Sequence, residues 1–308
     1  MKPMLLNNES YDLKQLNYND EWYVSKKRDG VRIEITNKGI KGRSLKELLN
    51  KKQIEKHYKQ LIQKIPEGVM LEGEFYKHGE PINKITPYCN SENKEIPEEY
   101  KIYIFGLYDQ NLNFEERLEK LKSIITQPTD KYEIVEQIKI TSYEQVMKEY
   151  NKYLQEGYEG AVLMSGKSKY KQGRVTVRQQ IGYKIKPIRE DDLLILGVTE
   201  RMENLNESQK NELGQSYKRN TVDAKKGTGI AATFICKVRE LKPTEKETEY
   251  GVLTTKVTIT GNEETRRKIW QNKEKYIGQY AVVESMDYGI KDKPRHGRLL
   301  RIKDKVEK

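Results

Sequence analysis

Tyr23-Val24-Ser25-Lys26-Lys27-Arg28-Asp29-Gly30-Val31-Arg32-Ile33-Glu34-Ile35 sets the architecture of the first half of the chain. Residues 23–25 and 31–35 are β-branched or aromatic runs suited to a pleated, half-buried surface, so both are expected as strands. Asp29-Gly30 between them reads as a tight turn, in which glycine allows close approach of the backbone. Runs of the same character recur at 69–76, 102–108, 161–164 and 183–185. Between them, residues 45–64, 114–125 and 143–156 repeat apolar side chains at three- and four-residue spacing, the helical period. Helices and strands do not alternate in strict βαβ order, so the expectation is α+β, with antiparallel sheets flanked by helices, rather than a doubly wound sheet.

Beyond Pro187 the texture changes. Residues 193–198, 231–238, 251–260 and 280–285 are short apolar or β-branched runs with little helix between them, which fits a small five-stranded barrel of the oligonucleotide-binding (OB-fold) type. The expected division is a first domain over residues 1–188 and a barrel domain over 189–308, and a length of 308 residues suits two domains. Residues 201–229 interrupt the barrel with Asn, Ser, Gln, Gly and Lys and are expected as a long surface loop or hairpin.

Lys and Arg outnumber Asp and Glu 58 to 47, a formal charge of +11 that favours polyanionic partners, nucleic acid first among them. Interspersed charges of both signs also serve solubility. Cys89 and Cys236 are isolated, and the histidines are only His57, His78 and His296, which argues against a Cys/His zinc site and fits a reducing, intracellular compartment. Neither a signal-peptide apolar region nor a membrane-length apolar run is evident, so a cytosolic location is expected.

Lysine is a poor nucleophile while protonated and becomes useful where neighbouring cations or desolvation favour the neutral amine. Lys26 and Arg28 flank Lys27 in sequence, and Lys184 and Lys186 alternate on an expected strand so that both point to one face. If that face borders Lys27, the same lysines could bind a phosphate. Arg32 offers a forked donor suited to a phosphate or ribose oxygen.

The order of further short motifs gives Lys27 its context: Leu71-Glu72-Gly73-Glu74-Phe75, Tyr103-Ile104-Phe105-Gly106-Leu107, Tyr158-Glu159-Gly160-Ala161-Val162-Leu163 and Tyr183-Lys184-Ile185-Lys186. With Lys27-Arg28-Asp29-Gly30-Val31-Arg32, these resemble motifs I, III, IIIa, IV and V of the covalent nucleotidyltransferase superfamily, which contains DNA ligases, RNA ligases and mRNA capping enzymes. The resemblance implies that Lys27 forms a phosphoramide with AMP, that Arg32 contacts ribose or phosphate, and that Phe105 stacks on the purine. It implies that Glu74 and Glu159 are the motif III and IV acids at a Mg²⁺ site, where Mn²⁺ may substitute, and that Lys184 and Lys186 contact the α-phosphate. Arg43, in Gly42-Arg43-Ser44, sits where the superfamily grips a 5′-phosphate.

Lys2-Pro3-Met4-Leu5 and Tyr23-Val24-Ser25-Lys26-Lys27 resemble ATP-dependent DNA ligases of phage and bacterial type. Residues 214–221, including Lys218 and Arg219, and residues 266–278 resemble the C-terminal domain of minimal viral and phage ligases, in which a hairpin from the barrel closes around duplex DNA. The resemblance therefore implies ATP as cofactor, nicked duplex DNA as partner, and action as a monomer, since one chain holds every motif. Motif III begins with Glu72 in place of the usual Asp, and Met164 ends motif IV where many relatives have Lys or Arg. Arg295, Arg301 and Lys303 are candidates for the group that orients pyrophosphate, a basic tail without that role being the alternative. An RNA ligase or a capping guanylyltransferase would use the same lysine, and a non-catalytic nucleic-acid-binding protein could keep the fold.

Overall fold

Side chains alternate along a strand, which gives Trp22–Lys27 two faces. Trp22 and Val24 are buried with Val146, Tyr150 and Tyr153 of the helix Tyr143–Gln155, whereas Ser25 and Lys27 line a cleft. The computed structural model describes residues 2–6, 12–211, 214, 216–288 and 292–303. Chain contacts divide it into two units, with the break between Lys186 and Pro187.

In the first unit, Trp22–Lys27 belongs to a four-stranded antiparallel sheet of order Gly182–Ile185, Gly160–Ser165, Trp22–Lys27, Ile138–Ile140. The turn at Asp29-Gly30 then passes the chain to a second sheet of order Gly39–Gly42, Val31–Thr36, Leu71–Tyr76, Lys101–Leu107, Tyr132–Ile134, antiparallel except for its last pair. Only glycine fits the turn, because a Cβ at Gly30 would lie 2.5 Å from the Phe75 carbonyl oxygen. Ile33, Ile35, Leu71, Phe75, Ile102 and Ile104 pack beneath Ile54, Tyr58, Leu61 and Leu121 as the core of this second sheet.

Residues 45–64 depart from the single helix expected. They form Lys51–His57 and Lys59–Lys64, preceded by a turn in which Leu45 has φ 63° and the Gly42 N–H donates to the Lys46 carbonyl. Tyr58, at the break, is fully buried and donates its hydroxyl to the Tyr100 carbonyl at 2.8 Å, so packing overrides the helical period there. The other two helices appear as Phe114–Ile124, with an Asn113–Glu116 capping box, and Tyr143–Gln155, capped by Ser142.

The second unit contains a closed five-stranded barrel of OB type, order Arg189–Asn204, Lys225–Glu240, Val252–Thr258, Pro294–Lys303, Tyr280–Tyr288. Leu193, Ile195, Phe234, Val257, Val283 and Leu299 fill it. The helix Glu263–Gln271, not anticipated because Ile269 and Trp270 are its only large apolar residues, packs Ile269 and Trp270 onto that core. The segment 201–229 is largely hairpin. The two long strands pair out to Asn204 and Lys225, and beyond them Ser208–Lys210 pairs with Ser216–Lys218. Residues 294–303 close the barrel rather than forming a tail, while the final residues of the expected motif VI stretch lie outside the described residues.

Candidate active site

The cleft of the first unit has a volume of about 860 Å³, a size suited to a nucleotide-sized ligand. The four-stranded sheet contributes Ser25, Lys27, Val162, Met164 and Lys184 to its lining, and the five-stranded sheet contributes Arg32, Glu72, Glu74 and Phe105. At the end that Lys27 lines, Lys27 Nζ and Lys186 Nζ donate to the two carboxylate oxygens of one residue, Glu159. The backbone fixes that arrangement. Glu159 N–H donates to the Lys27 carbonyl at 3.0 Å, and Gly160, at φ 151°, pairs with Lys27 while passing so close to the neighbouring strand that a Cβ would meet the Ile185 carbonyl oxygen at 2.1 Å.

Burial pushes the Glu159 carboxyl up, but the charges of Lys27 and Lys186 outweigh it and hold the group below the usual carboxylate range. Burial, followed by the charges of Lys27 and Lys186, lowers the Lys184 amine to about 8. Lys186 is lowered in the same sense, first by burial and then by Lys27, against the pull of Glu159. The site thus pairs Lys27 and Lys186 with one ionised carboxylate and sets Lys184 within reach of their charges.

Across the cleft, Glu74 accepts the Gly30 N–H at 3.1 Å, tying the turn after Lys27 to the second sheet. Desolvation raises its carboxyl to about 7, against Lys27 and Arg32. Phe105 faces the cleft because of a β-bulge. Glu72 pairs with Gly106 and Gly73 with Ile104, leaving Phe105 as the extra residue on its strand. The Arg32 guanidinium lies 5.2 Å from the Phe105 ring centroid and donates to Glu34 at 3.2 Å, to the Met4 carbonyl at 2.7 Å and to Glu72. Arg32 therefore also builds the cleft wall, pinning the N-terminal strand Met4–Leu5 beside the site.

Sequence reasoning missed the buried network behind this wall. Tyr170 donates to the same Glu72 oxygen as Arg32 and accepts the Met4 N–H at 2.7 Å. Glu34, 2% exposed, keeps one buried oxygen without a hydrogen bond among the described residues, and burial together with Glu72 raises it to about 8. Only the pairing of Arg32 with two acids two residues and one strand away hinted at it. Since its folded value lies above the ordinary 4.5, the proton is held more tightly in the native state. That contribution is complete below the ordinary value and is lost as pH rises through about 8. Glu34→Gln should therefore unfold like the parent near pH 5 yet be more stable by on the order of 2 kcal/mol at pH 9. Parallel urea titrations at the two pH values check this, and a constant difference between the proteins would contradict it.

The cations flanking Lys27 also border the cleft, but their side chains are engaged elsewhere. Lys26 pairs with Glu156 at 2.6 Å on the helix side, and Arg28 stacks on Tyr103. The cations that do border Lys27 are Lys184 and Lys186, from a distant part of the sequence. Arg43 lines the cleft. Lys218 and Arg219 are exposed on the hairpin of the second unit, where Lys218 Nζ donates to the Asn204 carbonyl at 2.9 Å. Arg295, Arg301 and Lys303 all stand on the barrel strand Pro294–Lys303, and Lys303 pairs with Asp192 at 2.7 Å. Among the described residues no three His, Cys, Asp or Glu side chains cluster as a ready-made metal site, and no helix is long and apolar enough to cross a membrane.

Residues 3–186, which carry the whole cleft, match the model of the ATP dependent DNA ligase domain. The chain belongs to the ATP-dependent DNA ligase family. DNA ligases of African swine fever virus isolates are 28% identical over 187 residues, 58% of this chain and 44% of theirs, so the match spans less than half of those relatives. Among solved structures, a Lig E DNA ligase is 14% identical, with a TM-score of 0.70 over 98% of this chain and 99% of its own. The chlorella virus DNA ligase-adenylate is 20% identical, with a TM-score of 0.52 over 99% of each chain. At such identities the likeness is one of fold, a nucleotidyltransferase domain followed by an OB barrel.

Proposed function

We propose that this protein is an ATP-dependent DNA ligase that joins 5′-phosphate and 3′-hydroxyl ends at nicks in duplex DNA. The observation that carries the proposal is the convergence of Lys27, Lys186 and Glu159 at a nucleotide-sized cleft that Lys184 also lines. In the first step Lys27 Nζ gives up its proton to solvent and forms a bond to the α-phosphorus of ATP as the bond to pyrophosphate breaks and pyrophosphate leaves. The AMP then passes to the 5′-phosphate of the nick, regenerating the lysine, and attack by the 3′-hydroxyl expels AMP.

Lys184 and Lys186 are assigned to the α-phosphate, where negative charge must be held through all three transfers. Phe105 is assigned to the purine face, Arg32 to the ribose side of the cleft, and Arg43 to the 5′-phosphate. Arg301 is proposed to orient pyrophosphate, and Lys218 and Arg219 to hold the duplex. The donor set suits Mg²⁺, which takes one or two carboxylates and completes its shell with water and substrate phosphates. Glu159 would hold it, with Glu74 as the second carboxylate, and Mn²⁺ would substitute. When bound, the ion supplies neutralisation of phosphate charge. All of these groups lie on one chain, which supports action as a monomer, and the free, buried thiols of Cys89 and Cys236 support a reducing cytoplasm, bacterial or of a virus-infected cell.

Base choice and acceptor choice test the reading together. The protein offered α-labelled ATP or GTP should take label from ATP, and should then seal nicked DNA. Preferential labelling by GTP would point to a capping guanylyltransferase, and sealing of nicked RNA alone would point to an RNA ligase.

A further inference from the structure

Lys27 and Glu74 hang from different sheets, and Arg28-Asp29-Gly30 joins the strand of Lys27 to Val31–Thr36, which pairs with the strand of Glu74 in the second sheet. One tie across the gap is the Gly30–Glu74 hydrogen bond. Arg28 makes a second. Its guanidinium carbon lies 3.8 Å from the ring centroid of Tyr103, on the second sheet, and 5.4 Å from that of Tyr158, which enters the first. Tyr103 stands opposite Glu74 in the sheet, and Tyr158 immediately precedes Glu159.

The stack is built rather than incidental. Arg28 Nε and Nη1 are sealed from solvent with no hydrogen-bond partner among the described residues, so ring faces take the place of acceptors for these two nitrogens, while the guanidinium also hydrogen-bonds the Tyr103 side chain. The Tyr158 ring is itself fixed, with Lys26 Nζ 4.8 Å from its centroid and the His78 ring 4.5 Å away. His78 Nδ1 in turn lies 3.2 Å from the Tyr76 hydroxyl, which returns the contact to the second sheet. A half-buried guanidinium with two nitrogens sealed against ring faces and without acceptors gains little stability from the arrangement alone.

We propose that Arg28 is a positioning residue for the covalent step. By clamping Tyr103 and Tyr158, it sets the spacing of the two sheets at Lys27 and holds Glu159 in line with the Lys27 amine. The inference rests on the reading of Lys27 as the nucleophile. Displacement of a reacting group by about 1 Å costs roughly 100-fold in rate, so loss of the clamp should act on the rate of labelling and leave ATP affinity nearly unchanged.

The test uses the full chain and the rate of Lys27 labelling as a function of α-labelled ATP. Arg28→Met, which keeps the length and removes the charge, should lower the maximal rate by about 10- to 100-fold with less than about a twofold change in half-saturating ATP. Arg28→Lys should recover most of it, because an ammonium still binds a ring face. Tyr103→Phe, which keeps the ring face and loses only the hydroxyl contact with Arg28, should stay well above Tyr103→Leu, which should reproduce the loss, and Arg28→Met combined with Tyr103→Leu should be no slower than either alone. A parental rate in Arg28→Met, a loss confined to ATP affinity, or multiplying losses in the double variant would overturn the inference. Should Arg28→Met not fold, the contrast between Tyr103→Phe and Tyr103→Leu decides, equal rates in those two counting against the clamp. Absence of label on the parent protein would overturn the nucleophile reading and this inference with it, whereas labelling indifferent to Arg28 overturns this inference alone.

Discussion

Lys27→Ala is expected to remove all transfer of labelled AMP to the protein and, with it, nick sealing from ATP. No neighbouring amine can take over the attack. Lys26 faces the helix side in its pair with Glu156, Lys186 is held beyond the strand end by Glu159, and Lys184 reaches the cleft from a different strand. The loss should be chemical rather than structural, because Lys186 still pairs with Glu159 after the truncation and no buried carboxylate is left without a cation. Melting temperature and ATP binding should accordingly stay near the parental values. The third step makes no bond to Lys27, so the variant should retain sealing of nicks supplied already adenylylated. Loss of that activity as well would mean that the substitution had damaged the site as a whole.

Glu159→Gln is expected to have the second largest effect, lowering the rate of labelling by about 100- to 1,000-fold, the scale of removing one preorganised charged group from a reaction centre. Glu159 is an acceptor shared by Lys27 and Lys186, and its side chain is only 12% exposed. A neutral amide cannot balance both ammonium groups, so the lysines should part and the amine lose its alignment with the α-phosphorus. The same carboxylate is the proposed first contact for Mg²⁺, so more Mg²⁺ should be needed for half-maximal labelling. Titrating Mg²⁺ against labelling rate in both proteins measures the two effects at once. A parental rate at all Mg²⁺ concentrations would remove Glu159 from the scheme.

Much of the first unit is legible in the sequence because its strands are short, β-branched and separated by strong turn signals. Trp22–Lys27, Val31–Thr36, Leu71–Tyr76 and Lys101–Leu107 fall within two residues of their expected positions. What periodicity could not supply was direction. Lys26 and Arg28 adjoin Lys27 in sequence, yet their cationic groups are engaged by Tyr153, Tyr158 and Tyr103. Phe105 reaches the cleft through a one-residue bulge that no residue type announces. The burial of Glu34 depends on Arg32, Glu72 and Tyr170 meeting from three parts of the chain, which no local pattern shows. In the barrel, the hairpin was readable only as an interruption, because its exposed strands Ser208–Lys210 and Ser216–Lys218 bury no apolar face to create a pattern.

The central claim is that Lys27 carries AMP on its way from ATP to a DNA nick, and a pulse and chase tests it most directly. The protein is labelled with α-labelled ATP, freed of nucleotide, digested and mapped, while a second portion receives nicked duplex DNA without ATP. The label should map to Lys27, leave the protein on addition of the nicked duplex, and be released as AMP as sealed strand appears. Label on any other residue, or label on Lys27 that nicked DNA does not discharge, would contradict the account.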